Sequence, residues 1–503
     1  MMRRLALVTF LAAIASPVTA SPRFEPVDGP ISSHVYAGGW EHFVGGGVAV
    51  LDCNADDRPD LFLAGGETPA QLMVNKGKMI FAPQPLSDSP ETAPLTGVTG
   101  AYPIDLDADG VLDLFVMRSG PNVALRGQGD CRFEKATAAL GLPDNGNAWT
   151  TAFTAWWARA AARPTLAVGN YVDRADPEGP FGTCDDNAIL TPVDQGWQTQ
   201  PLTPGHCPLS MLAARDARGQ LSLRLSNDRH YYVRGGSEQL WDIAKQRFLG
   251  SADGYEPPRL WGMGIASRDL DGDGRDEVML TSMGDQNLRL AREGGYVTAP
   301  FSMGTSAHRP HIGEDGRPST GWHAQFGDID NDGRADLFIS KGNVDQMPGM
   351  AMQDPNSLLM QQPDGTFSDH SFAAGVASTA RGRGAALADL DGDGRLDLVV
   401  VNRRAGAELY RNVTPDAGHW LSVELHQPGG NSRAVGARVR VHATGWSEEQ
   451  EITIGGGHAG GQAGPLHFGL GDVTNVKITV VWPDGAETRH APAGVNRRIT
   501  LRR

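Results

Sequence analysis

The sequence predicts an all-β chain: a seven-bladed β-propeller closed by its N-terminal strand, followed by a small antiparallel β-sandwich or barrel. Three observations predict it. Five acidic loops of one design recur, beginning at Asp52, Asp105, Asp269, Asp328 and Asp389. Each leads into an apolar, β-branched run such as Leu337-Phe-Ile339 or Leu398-Val-Val400, which reads as a strand. The steps between loops are 53, 164, 59 and 61 residues, and the long step is about three short ones. Two repeats have therefore lost their loop, and the units number seven. Fixed periods of this size mark repeats that bury their faces only by stacking.

Each unit reads as four strands, the composition of a propeller blade. In unit six, Trp322 to Gly327 enters the acidic loop and Leu337 to Ser340 leaves it. Ser357 to Gln361 and Thr366 to Ser371 then form a hairpin around Pro363-Asp-Gly365. Unit three begins with Ala152 to Trp157 and Pro164 to Asn170. Unit four is expected as Leu221 to Leu225, Tyr231 to Arg234, Glu238 to Asp242 and Arg247 to Gly250. Between them lies a Pro/Gly-rich, Cys-bounded insertion near 172–210. Unit seven stops at Glu408 to Asn412, and Arg23 to Val27 is expected to supply its outer strand, closing the ring and removing an open edge.

The acidic loops carry the chemistry. Positions 1, 3, 5 and 9 hold Asp52, Asn54, Asp56 and Asp60; Asp105, Asp107, Asp109 and Asp113; and Asp269, Asp271, Asp273 and Glu277. The last two sets are Asp328, Asp330, Asp332 and Asp336, and Asp389, Asp391, Asp393 and Asp397. Hard cations such as Ca²⁺ take about six to eight oxygen ligands, and closely spaced carboxylates supply them. These are not EF-hands, because position 12 is apolar in every loop (Leu63, Val116, Leu280, Ile339, Val400). We read a tight inter-strand turn in which positions 1, 3, 5 and 9 and the carbonyl of residue 7 bind Ca²⁺, about five structural sites in all. Position 6 is Gly except at Asp57, where strain is expected. One such loop alone would read as an ordinary Asp/Gly turn; five repetitions of bunched like charge call for a counter-ion.

Residues 1–20 read as a cleaved export signal: Arg3 and Arg4, an apolar stretch from Leu5 to Ile14, then Val18-Thr-Ala20. The apolar stretch is too short to span a bilayer. The protein is expected to be periplasmic or secreted, with no transmembrane segment. Export permits disulfides. Of the three pairings that four Cys allow, Cys184–Cys207 across the insertion with Cys53–Cys131 is favoured, the alternative being four reduced thiols. The net charge is −15, and the five loops hold 21 acidic residues. Five divalent ions would bring the charge to about −5, so the acidity belongs to metal sites. No basic stripe exists, which argues against nucleic acid as a partner.

Motifs such as Phe326-Gly-Asp-Ile-Asp-Asn-Asp-Gly333 resemble FG-GAP (VCBS-type) repeats, which implies the calcium-bearing propeller of integrin α-subunits. The tail carries Trp420-Leu-Ser-Val-Glu-Leu, Asn431-Ser-Arg-Ala-Val-Gly-Ala-Arg-Val439, Pro465-Leu-His-Phe-Gly-Leu-Gly471 and Val481-Trp-Pro-Asp-Gly485. It is similar to the ASPIC/UnbV domain that follows such repeats. The expected organisation is a signal at 1–20, a propeller at 21–415 and the β-domain at 416–503. Strands are expected at Leu421 to Leu425, Ala437 to Ala443, Glu451 to Ile454 and Val476 to Trp482. The run Gly455-Gly-Gly-His-Ala-Gly-Gly461 reads as a mobile loop and lacks the strand–helix context of a phosphate loop.

Just before the innermost strands stand Trp40, Glu41, His42, Trp149, Trp261, Trp322, His323 and Arg383. Blade symmetry gathers them at one channel mouth, as a ligand site or as packing between blades. His308 and His311, with His323, form a further grouping that could bind a transition metal or be unrelated. Two functions follow. One is an exported scaffold presenting loops to a glycan, peptide or protein. The other is an exported enzyme working at the mouth through Glu41, His42 or His323, recognisable if those side chains share one water-accessible pocket.

Overall fold

The computed structural model describes residues 21–86, 94–176, 182–194, 196–228, 235–306 and 316–503. The export signal, Tyr231 to Arg234, His308 and His311 lie outside the described residues. The structure is all-β, with no α-helix among the described residues. Seven four-stranded antiparallel sheets come first. Their innermost strands are Val48–Leu51, Val98–Ile104, Thr150–Trp156, Pro208–Arg215, Gly262–Arg268, Gly321–Gly327 and Gly382–Ala388. Each packs on the next in chain order, and the first packs on the last, so the sheets are blades around a central channel. The outer strand of the seventh blade is Phe24–Pro26, which pairs Phe24 with Asn412 and Pro26 with Tyr410.

The blades are held by apolar side chains between adjacent sheets. Leu61, Leu63, Val116, Leu125, Val399 and Leu409 lie in one such layer, and Phe338, Leu358, Leu387, Leu398 and Tyr410 in another. Inner strands are buried along nearly their whole length, so they read as continuous apolar or small-residue runs.

Blades three and four differ from their expected boundaries. The Cys-bounded insertion is the outer half of blade three, strands Asn187–Pro192 and Trp197–Leu202. These strands are polar and exposed on one side, so their Pro/Gly/Thr/Gln composition resembles a loop. The innermost strand of blade four is Pro208–Arg215, directly after Cys207, and Leu221–Asn227 is its second strand, not its first. Cys184–Cys207 ties the outer half of blade three to the start of blade four, Cys53–Cys131 ties the acidic loop of blade one to the outer hairpin of blade two, and no cysteine is free.

The C-terminal residues form a two-sheet sandwich. One sheet orders Leu466–Gly471, His419–His426 and Arg497–Arg502; the other orders Trp446–Glu451, Arg438–Ala443, Lys477–Val481 and Glu487–His490. Leu421, Val423, Val439, Val441, Phe468, Ile478, Val480 and Trp482 fill the space between. The sandwich is not wholly antiparallel, because His419–His426 and Arg497–Arg502 run parallel.

The glycine run is not a mobile loop. Residues after Glu451 leave the sandwich and enter the propeller channel. Bridges pair Ile454 with Ala155, Gly455 with Leu212, Gly457 with Ile265, Gly460 with Ala101 and Gln462 with Val50. Seven backbone hydrogen bonds join the segment to innermost strands. Ile265 N–H donates to Gly457 O, Gly457 N–H to Ile265 O and Gly456 N–H to Met211 O. Val50 N–H donates to Gly461 O, Ala463 N–H to Val50 O, Gly461 N–H to Ala101 O and Ala155 N–H to Ile454 O. At the tip, fully buried His458 accepts from Gly45 N–H (3.2 Å) through Nε2, and its Nδ1 lies 3.3 Å from Met263 O. Its own N–H donates to His323 Nδ1 at 3.0 Å. Glycine is required because backbone meets backbone: a β-carbon on Gly47 or Gly100 would stand 1.8 or 1.7 Å from Ala459 O.

Candidate metal centre

Each acidic loop connects the innermost strand of its blade to the second strand, so all five loops crown one end of the channel. Their backbone is wound by their own carboxylates. The position-1 carboxylate accepts N–H bonds from residues further along the loop: Asp52 from Asp56 and Asp57, Asp105 from Ala108 and Gly110, Asp389 from Gly392 and Gly394. The position-5 carboxylate accepts the position-7 N–H in every loop, from Arg58, Val111, Arg275, Arg334 and Arg395. Position 6 is left-handed throughout, and Asp57 takes φ 65° where the other loops use Gly. Position 4 is left-handed as well, at Ala55, Ala108 and Asn331 with φ 58, 68 and 57°.

Four loops gather three carboxylates with oxygens within 4.8 Å of one another: Asp105, Asp107 and Asp113; Asp269, Asp271 and Asp273; Asp328, Asp330 and Asp332; Asp389, Asp391 and Asp397. In the first loop, Asn54 replaces the third carboxylate, and Asp60 lies instead against the Cys53–Cys131 disulfide, whose sulfurs are bonded to each other and cannot bind metal as thiolates. The donors are all oxygen, which suits a hard cation. Fully buried Asp330 Oδ1 has no hydrogen-bond partner, an orphan that a cation would satisfy. These aspartate clusters could hold a metal ion.

The position-9 carboxylate does a second job that the sequence pattern does not show. Asp60 accepts from Cys53 and Asn75 N–H, Asp113 from Leu106 and Gly127, and Glu277 from Leu270 and Ala291. Asp336 accepts from Ile329 and Gln361, and Asp397 from Leu390 and Asn412. One oxygen holds the loop and the other holds the third strand, so the residue clamps its blade. Burial pushes Asp113 and Glu277 up to about 7 and Asp60 up to about 6, against the lowering pull of these bonds. Burial, then the neighbouring carboxylates, push Asp328 well above its ordinary range. Position-7 arginines lie on the position-5 carboxylates, Arg58 on Asp56, Arg275 on Asp273, Arg334 on Asp332 and Arg395 on Asp393.

The opposite mouth holds the aromatic and ionisable group except His323, which is buried in the channel wall against Gly457 and His458. Trp149, Trp322, His42, His323 and Arg383 are buried, Trp261 is half-buried, and Trp40 is 43% exposed. Trp40 meets Trp149 edge-to-face at 5.1 Å, and Trp149 meets Tyr171 at 4.9 Å. Arg383 lies 4.0 Å over Trp322 and donates to the carbonyls of Phe43, Gly382, Asn343 and Val344. Arg403 donates to His42 O and Gly38 O. Glu41 pairs with Arg174 at 2.5 Å, while His42 faces Glu67 at 4.0 Å. His323 lines an interdomain cavity of about 620 Å³, and neither Glu41 nor His42 reaches it. The three side chains do not share a pocket among the described residues.

No helix among the described residues is long and apolar enough to cross a membrane. The FG-GAP-like repeat family matches residues 52–116, 269–339 and 350–438, and the ASPIC and UnbV family matches 427–503. Human cartilage acidic protein 1 is 24% identical over 244 residues, 46% of this chain and 34% of that protein. The Xenopus tropicalis protein of the same name is 24% identical over 255 residues, 47% of this chain and 36% of that one. The chain thus spans about a third of the length of these relatives. Among solved structures, YCF48 from Cyanidioschyzon merolae is similar at 10% identity and a TM-score of 0.42, over 77% of this chain and 98% of that one. The extracellular domain of a putative hybrid two component system from B. thetaiotaomicron is similar at 7% identity and a TM-score of 0.44, over 96% of this chain and 60% of that one. The chain joins FG-GAP-like repeats to an ASPIC and UnbV domain, and over about half of its length it is similar to cartilage acidic protein 1.

Proposed function

We propose that this is an exported calcium-binding propeller that acts as a binding or scaffold protein for a glycan, peptide or protein ligand. The observation that carries the reading is the repetition of one all-oxygen cluster on four loops of a single face, with Asp330 Oδ1 orphaned inside one of them. The position-7 carbonyl and water would complete a Ca²⁺ shell of about six to eight oxygens. Two disulfides suit an oxidising compartment, periplasmic or extracellular. At the far mouth, Trp40, Glu41 and half-buried Trp261 are the members of the proposed ligand group that reach the surface, and the buried ones support them. The separation of Glu41, His42 and His323 favours binding over catalysis there.

Thermal unfolding with Ca²⁺ and with excess EDTA, on mature protein and on an Asp391→Ala/Asp393→Ala variant, tests the metal reading. A large chelator-induced loss of stability, with a smaller loss in the variant, is expected. No response to either change would refute it.

A further inference from the structure

The C-terminal sandwich rests on the cation loops themselves. In loop one, Arg498 Nη1 donates to Asp57 O at 3.0 Å and pairs with its carboxylate at 3.2 Å. In loop two, Ser432 Oγ donates to Asp105 Oδ2 at 3.3 Å. Beside loop three, Arg268 pairs with Glu448 at 3.0 Å. Loop four carries most: Gly418 N–H donates to Asp330 O (2.8 Å), Gly471 N–H to Asn331 O (2.7 Å) and Trp446 Nε1–H to Gly333 O (3.2 Å). The Trp420 ring lies so close to loop five that a β-carbon on Gly394 would stand 1.9 Å from it. The acceptors are largely loop carbonyls, and their directions are set by how tightly each loop is wound.

From these contacts we infer that the acidic loops are a latch: their loaded conformation holds the C-terminal sandwich in place and so keeps the Ile454–Ala463 segment inside the channel. The inference rests on the calcium reading. Three or four carboxylates within a few ångströms repel one another without a cation, and the loop opens to relieve this. Opening turns the carbonyls of Asp330, Asn331, Gly333 and Asp57 away from their donors. Both ends of the channel segment belong to the sandwich, since it leaves strand Trp446–Glu451 and returns into Leu466–Gly471. A sandwich that lifts therefore withdraws the segment. The seven backbone groups freed on the inner strands then face an open channel.

Hydrogen exchange of the full mature chain, with Ca²⁺ and with EDTA, tests this beside a calorimetric Ca²⁺ titration of the same protein. Chelation should speed exchange of the Gly456, Gly457, Gly461 and Ala463 amides at least tenfold, while second-strand amides of the blades keep their protection. An Arg498→Ala/Trp446→Ala variant, which touches no carboxylate of the clusters, should show the same release with Ca²⁺ present and an unchanged Ca²⁺ stoichiometry. Calcium binding with equally slow segment exchange in both conditions would overturn the latch and leave the calcium reading intact. Segment and blades exchanging together on chelation would overturn it too. No calcium uptake would overturn both.

Discussion

Replacing Gly100 by Ala tests the threaded channel directly. The new β-carbon would lie 1.7 Å from Ala459 O, and real β-carbons hardly ever approach a heavy atom within 3.0 Å. Something must move by about 1.3 Å, and both partners are backbone in a buried setting. Two responses bracket the cost. If strand and segment share the strain, overpacking costs about 1–3 kcal/mol. If the segment leaves, the seven backbone hydrogen bonds that hold it are lost, at about 1 kcal/mol net each. The variant should therefore lose between about 1 and about 7 kcal/mol, at least about fivefold in the opening constant of the segment. Hydrogen exchange at Gly457 and Gly461, with urea unfolding, reads both quantities. Gly29→Ala is the control, since an added β-carbon meets nothing within 4 Å there. A Gly100→Ala protein with wild-type stability and undiminished protection of the segment would refute the threading.

Further expectations follow from particular groups. Burial holds His458 at about 3 and His323 at about 4, so both are neutral in the fold, whereas an unfolded histidine titrates near 6.5. Their folded values are depressed; the stability tied to neutrality is complete above pH 6.5 and is lost as pH falls toward 3–4. By pH 4.5 the loss tied to His458 is on the order of 3 kcal/mol, and a His458→Gln variant should show a correspondingly flatter stability profile between pH 6.5 and 4.5. Asp336→Ala removes the acceptor of the Ile329 and Gln361 N–H groups, and should cost about 2–4 kcal/mol in urea unfolding with chelator present, when no metal contributes. Cys184→Ser/Cys207→Ser opens a 23-residue span, and the unfolding free energy from denaturant titration should fall by about 3–4 kcal/mol, against about 4.5 kcal/mol for the 78-residue span of Cys53–Cys131.

Local chemistry made much of the fold legible. The unit-six hairpin lies at Ser357–Gln361 and Phe367–Asp369, and the third strand of unit seven at Glu408–Asn412, because period-2 alternation and turn residues act within a few positions. The left-handed bend at Asp57 was readable from four glycines at the equivalent place. Blade three escaped because Trp197–Leu202 is an exposed edge strand with no apolar face to display. The function of Asp60, Asp113, Glu277, Asp336 and Asp397 as clamps was hidden because one of their two partners lies 14–25 residues further on, in the third strand. The glycine run was misread for a related reason. Composition reports the freedom of a chain in isolation, while Gly455–Gly461 is glycine-rich because another backbone lies against it. A signal was present: Gly47, Gly100, Gly264 and Gly384 recur in or beside the innermost strands, where a fully packed blade would favour branched side chains.

The threading also bears on how the chain reaches this state. Arg23 bonds to Thr414, and Gly45 to His458, across 391 and 413 residues of sequence. Such pairings reward the chain only after very long loops have closed, which places folding at the slow end of the topological scale. The ring cannot be zipped until blade seven exists, and the last-made sandwich must then deliver its segment into a lumen that is forming around it. A propeller produced without residues 416–503 would carry unpaired strand edges along its bore, and is expected to self-associate while it waits for a partner strand.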